Sequence, residues 1–156
     1  MLYEEVMNSD LVEFGNMAPQ QFLIGLLSAF NNRYQASADR FFKEITWKQF
    51  IAIICINLCK ESPTLKELAE IMGSSHQNVK QILLKLESRN FVKLIPDEKD
   101  KRKQRIVLTD KCFEFCNQNH EDSQQKINLL FEGISEEQIW TTIKTIIMME
   151  RNVEKL

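Results

Sequence analysis

Four stretches begin with serine or threonine and carry glutamine or glutamate three residues later: Thr46-Trp47-Lys48-Gln49, Thr64-Leu65-Lys66-Glu67, Ser74-Ser75-His76-Gln77 and Ser135-Glu136-Glu137-Gln138. In such a capping box the hydroxyl accepts a backbone N–H inside the helix, and the Gln or Glu side chain reaches back to the N–H of the cap. Two donors that a helix start leaves unpaired are satisfied together. Four helix starts, with only 4 Gly and 3 Pro among 156 residues, exclude a loop-rich β-sandwich and point to a mainly α fold. Pro63 stops the segment before the second box, and Pro19 sits where a first helical turn tolerates it.

Apolar spacing fills in the elements. A first helix is predicted over about residues 19–42, with Leu23, Leu27, Phe30 and Tyr34 on one face. A second follows Thr46 and carries Phe50, Ile53, Ile54, Asn57 and Leu58. Two short helices, about residues 64–72 and 75–89, are separated only by Gly73-Ser74. Beyond Asn90 the period changes from helical to alternating, with Val92 and Leu94 on one short strand and Ile106 and Leu108 on another. Between them runs the charged stretch from Pro96 to Lys103, so this part reads as a β-hairpin with a long charged tip. Two more helices, about residues 109–131 and 135–154, close the chain, and no internal repeat is present.

Whole-chain charge is −2, but it is unevenly placed. Residues 60–111 hold 12 basic and 8 acidic side chains, and the remainder holds 8 basic and 14 acidic. A basic centre between acidic flanks suits a polyanion-binding module mounted on something that must not bind polyanion. Hydrophobic content of 44% supports a packed core, and no stretch reaches the ~18 apolar residues of a membrane span. The first 14 residues, MLYEEVMNSDLVEF, lack a basic start, so no signal peptide and a cytoplasmic location are expected. Four cysteines are too sparse for a disulfide scaffold.

Helix, short turn, helix, hairpin is the order of a winged helix-turn-helix. In the first short helix Leu65, Leu68, Ala69 and Met72 form a narrow apolar stripe, and Gly73 permits a sharp turn. In the second, Val79, Ile82, Leu83 and Leu86 share one face, leaving Gln77, Asn78, Lys80, Gln81 and Lys85 on the other. Gln and Asn can bond an adenine edge through two atoms, while Lys reaches guanine acceptors or phosphate. Ser74 and Ser75 precede a helix N-terminus, where free N–H groups and the helix dipole favour a phosphate oxygen. His76 reads either as a phosphate contact or as a solvated side chain, and Leu84 as a thymine-methyl contact or as packing under the wing. Each polar residue alone is an ordinary solvated position; as a set after a Gly turn and before a hairpin they read as a groove-facing surface.

The stretches Leu68-Ala69-Glu70-Ile71-Met72-Gly73, Asn78 to Glu87, and Asp97…Asp100-Lys101-Arg102…Val107-Leu108-Thr109 resemble the MarR family of winged-helix transcriptional regulators. The resemblance runs from about Ile45 to the C-terminus, with the first helix agreeing in kind only. It implies a winged-helix DNA-binding part over residues 46–109, and a helical dimerisation part over residues 19–45 and 110–156. It further implies a homodimer on a pseudo-palindromic double-stranded operator, with Arg102 entering the minor groove and Asp100 holding its guanidinium. Lys99, Lys101 and Lys103 would then lie along flanking phosphates. A narrow, electronegative minor groove attracts arginine, which makes the implied role physically sound. The chain departs from the family in having Asn90 after the recognition helix, where Gly is usual, and Lys80 where a small hydroxyl residue is common.

The terminal helices carry more apolar surface than a small domain covers: Phe22, Leu26, Leu27 and Phe30 at one end, and Leu129, Leu130, Ile134, Ile139, Ile143, Ile146 and Ile147 at the other. A dimer interface explains the excess, and an intrachain core explains part of it. Family members often hold small aromatic ligands in a crevice, for which Arg33, Tyr34, Trp47 and Phe50 are the candidates here, although three of them equally suit a core. Cys55/Cys59 and Cys112/Cys116 are spaced i, i+4, without the CxxC spacing of a zinc or redox motif. Buried packing is their ordinary role, and a soft-metal or redox sensor including His120 is the alternative. No Gly-rich phosphate loop, GxSxG or HExxH occurs, so neither an enzyme nor a bound cofactor is expected. The remaining alternative, a winged helix turned to protein recognition, must contend with 9 basic against 4 acidic residues over 74–109.

Overall fold

The computed structural model describes residues 17–156, so the expectation drawn from the first 14 residues lies outside the described residues. Two compact units divide between Thr109 and Asp110. The first holds α1 (Pro19–Ala38), α2 (Trp47–Leu58), α3 (Leu65–Ile71), α4 (His76–Ser88), β1 (Val92–Pro96) and β2 (Gln104–Leu108). The second holds α5 (Asp110–Leu130) and α6 (Glu136–Val153).

Helix α1 stops at Ala38, short of the predicted end near Phe42. There the backbone tightens into a turn, with Phe41 N–H donating to Ala38 O at 3.0 Å. The Asp39 carboxylate accepts the Trp47 N–H at 2.8 Å, folding the turn onto the start of α2. Burial of Phe42 and Ile45 explains the break, because both side chains enter the core from this connection.

Three of the four capping boxes form as their sequences require, at Thr46/Gln49, Thr64/Glu67 and Ser135/Gln138. The fourth does not. Gly73 adopts φ +57°, and the Ser74 N–H turns back to Ala69 O at 3.0 Å, so Ser74 closes the end of α3. The cap of α4 is Ser75, whose hydroxyl accepts the Asn78 N–H at 3.3 Å. The competing turn takes the residue that the box would have used.

The core of the first unit is apolar and closed: Ile53, Leu68, Val79, Leu86, Phe91, Val92 and Ile106 are all fully buried. Strands β1 and β2 pair antiparallel with Val92 opposite Leu108 and Leu94 opposite Ile106. Asn90 takes the left-handed conformation at φ +60°, a region Asn enters more readily than other non-glycine residues, so the turn into β1 survives the missing glycine. Two links tie the hairpin to the helices: Ile106 N–H donates to Pro63 O at 2.8 Å, and the buried Thr109 hydroxyl donates to Asn90 O at 2.7 Å.

In the second unit Cys112 and Phe115 of α5 are buried, whereas α6 buries no residue. Trp140, Ile143, Ile146, Ile147 and Met148 of α6 all stand exposed. Gly133, at φ +76°, makes the turn between the two helices. Among the described residues no helix is long and apolar enough to cross a membrane.

Candidate nucleic-acid interface

Helix α4 separates its faces cleanly. Val79, Leu83 and Leu86 are buried beneath it, and Gln77, Asn78, Lys80, Gln81 and Lys85 are exposed. Ser75 and His76 at its start are also exposed, and Ser74 is half-buried in the turn. Leu84 is 46% exposed on the same helix, so its apolar side chain faces solvent rather than the core.

The hairpin tip is built by a carboxylate that sequence reasoning gave no structural role. Asp97 is buried, and one of its oxygens accepts the N–H groups of Lys99 at 2.9 Å and Asp100 at 2.8 Å. Its other oxygen accepts from Arg105 Nε at 2.5 Å. Arg105 in turn donates to Ser62 O at 3.0 Å and to Glu67 at 3.2 Å, joining the tip to the start of α3. Spacing alone could not reveal these partners, because Ser62 and Glu67 are far from Arg105 in the chain. The alternation that places Ile106 inside does, however, put Arg105 on the other face.

The Arg105 guanidinium and the two backbone N–H donors hold the Asp97 carboxyl at a pKa of about 2, against an ordinary 3.8. Hydrogen bonds and nearby cations lower Glu67 and Asp100 in the same direction. A depressed carboxyl pKa stabilises the fold fully above its unfolded value, and that contribution is lost as pH falls towards the folded value. Asp97→Asn should therefore flatten the acid limb between about pH 4 and pH 2 when urea midpoints are plotted against pH. An unchanged limb would remove this carboxylate as a source of acid sensitivity.

At the extremity the Arg102 side chain is 92% exposed and gripped by Asp100, with Nε at 3.1 Å from one carboxylate oxygen. The second arm reaches the other oxygen at 3.4 Å. This two-point fork fixes the plane of the guanidinium while leaving its far edge free. Lys99, Lys101 and Lys103 are exposed around it. Arg102 is thus held outward before any partner arrives.

Of the four residues considered for a ligand crevice, only Trp47 lines a cavity of about 380 Å³ bounded also by Gln35, Lys48, Met72, Asn78 and Ile82. Tyr34 and Phe50 instead pack on Trp47, with ring centroids 5.0 Å and 5.8 Å away. Arg33 is exposed outside that lining. Sequence reasoning missed Asn78 as a shared residue, since it faces both this cavity and the exposed side of α4.

The sequence model of the MarR family matches residues 45–103. No curated protein matches. A MarR/EmrR family transcriptional regulator from Acinetobacter sp. ADP1 superposes with TM-score 0.79 at 14% identity, covering 90% of this chain and 100% of its own. The MarR protein from Peptoclostridium difficile gives TM-score 0.71 at 22% identity, with 92% and 94% covered. Bordetella bronchiseptica BpsR, whose DNA binding is regulated by 6-hydroxynicotinic acid, gives 0.73 at 16%, with 87% and 98% covered. At these identities the likeness establishes the fold, and the family match adds the helices and wing built above. Residues 45–103 match the MarR family, and the chain has the winged-helix fold of solved MarR-family regulators.

Proposed function

We propose that this protein is a homodimeric, cytoplasmic, sequence-specific DNA-binding regulator that represses by occupying a pseudo-palindromic operator. The observation that carries this reading is the pairing of two exposed polar devices in one unit: the Gln77–Lys85 face of α4, and Arg102 held outward by Asp100. The first has the donors and acceptors that read a major groove, and the second suits a narrow minor groove. Two copies must present their recognition helices about one DNA turn apart, roughly 34–36 Å. The uncovered apolar faces of α6 and of α1, where Ile24 and Phe30 are exposed, support pairing with a second copy.

Selection from random duplex DNA at ~150 mM salt, near physiological ionic strength, tests the reading. A two-fold symmetric site with half-sites ~10 bp apart is expected. Its recovery should weaken at defined base positions for Asn78→Ala and Gln81→Ala. Weak, salt-sensitive binding with no enriched sequence would instead favour a winged helix that recognises protein.

Release by a small molecule is the finer part of the proposal, and it rests on the Trp47 cavity. A planar aromatic carboxylate would stack on Trp47, place its charge near Lys48 and compete for Asn78. In a Trp140→Phe background, benzoate should quench the remaining indole and weaken operator binding over one concentration range. Quenching with no effect on DNA affinity would separate the cavity from regulation.

A further inference from the structure

Helix α4 carries one apolar side chain on its solvent face. Gln77, Gln81, Leu84 and Ser88 recur at i, i+4, i+7 and i+11, so they form a single line along the helix. All four are exposed, and the line runs opposite the buried Val79, Leu83 and Leu86. The run Ile82-Leu83-Leu84 explains how a leucine comes to stand there. Leu83 enters the core, Ile82 lines the Trp47 cavity, and helical geometry turns the third residue outward. At 46% exposure Leu84 is not packed under the wing either.

A lone leucine on a surface is ordinary, and exposure alone assigns it nothing. Its place on the helix does. With α4 in a major groove, as proposed above, this line faces the base edges, and Leu84 is covered by whichever base lies beneath it. The side chain has no donor or acceptor. Over guanine, adenine or plain cytosine it strips water from a polar edge atom without replacing the hydrogen bond, which is costly. Over thymine it meets the C5-methyl group, and two apolar surfaces leave water together. Cytosine offers the same group only when it is methylated at C5. We infer that Leu84 reads a pyrimidine C5-methyl group, so that the protein separates thymine or 5-methylcytosine from unmethylated cytosine at one position of each half-site.

The neighbours on the line agree with that role. Gln81 precedes Leu84 by three residues, a spacing that sets Cβ atoms about 5–6 Å apart on a helix. In an A·T pair the adenine N7 and amino group and the thymine methyl lie along one major-groove edge. An adenine bonded by Gln81 and a methyl covered by Leu84 are therefore features of one short A·T-containing stretch. Ser88, next on the line, donates its hydroxyl to Lys85 O at 2.9 Å. A protein partner would need a broader apolar patch, whereas every other exposed side chain of α4 is polar or charged.

The test uses the full chain on the duplex enriched from random DNA, with each thymine replaced in turn by uracil. That exchange removes one methyl group and keeps every hydrogen bond of the base pair. One symmetry-related thymine position should stand out, with affinity falling ~4-fold per half-site, the equivalent of about 0.8 kcal/mol for one buried carbon. Replacing both half-sites together should give ~15-fold, the product of the two. With a G·C pair at that position, 5-methylcytosine should bind ~4-fold better than cytosine. Leu84→Ala, an exposed change to a better helix former, should keep the thermal midpoint and abolish both differences.

An enriched site that is indifferent to uracil at every thymine would overturn the role of Leu84 and leave the groove-facing helix standing. A uracil effect that persists undiminished in Leu84→Ala would place the methyl under another side chain and overturn it equally. Failure to enrich any sequence would remove the groove-facing placement of α4, and the methyl contact with it. The uracil scan on wild-type protein decides even if the variant folds poorly.

Discussion

Replacing Ile143 and Ile146 with glutamate should turn the protein into a monomer and lower operator affinity by ~10²–10⁴-fold, the usual gain from linking two binding events. Helix α6 buries nothing within one chain, and these two residues, each 38% exposed, stand on it. Four carboxylates facing one another across a dimer would lose hydration without gaining partners. Sedimentation should report the dissociation, and a single half-site duplex should bind wild type and variant alike. A variant that remains dimeric would move the interface to another surface. A monomer that keeps full operator affinity would dismiss the two-half-site mechanism itself.

Arg102→Ala should cost about 1–3 kcal/mol per half-site, the range for one well-placed contact to a base edge. The dimer and the thermal midpoint should not change, because the side chain is 92% exposed and its fork to Asp100 is a surface pair. Asp100→Asn should give a smaller loss in the same direction, since the guanidinium remains but must be ordered on binding. Fluorescence anisotropy on the selected operator separates the two. If Arg102→Ala binds as tightly as wild type, the wing tip does not enter the groove.

Local signals carried most of the fold. Thr46, Thr64 and Ser135 mark helix starts because a capping box is complete within four consecutive residues, and Gly73 and Asn90 mark the turns whose φ values are positive. Ser74 misled because two local motifs overlap there, and the turn that closes α3 prevails over the box. The end of α1 was illegible for a different reason: burial of Phe42 and Ile45 is decided by what they pack against. The same distinction runs through the candidate site. The polar face of α4 and the Asp100–Arg102 fork are near-neighbour patterns. The Asp97–Arg105–Ser62 connection and the Trp47 cavity are made by residues far apart in sequence, and no period or spacing announces them.

The bonds from Ile106 to Pro63, and from Arg105 to Ser62 and Asp97, have a geometric consequence for any operator. They tie the hairpin to the helix pair, so the wing tip and the exposed face of α4 are held at one spacing. On the proposed function, the distance within each half-site between bases facing α4 and bases facing Arg102 would therefore be a constant of the molecule. In the proposed dimer the gap between half-sites would belong to the pairing of two chains, the one dimension left to adjust. Such a dimer would measure DNA as a pair of calipers does, with rigid jaws and a variable opening.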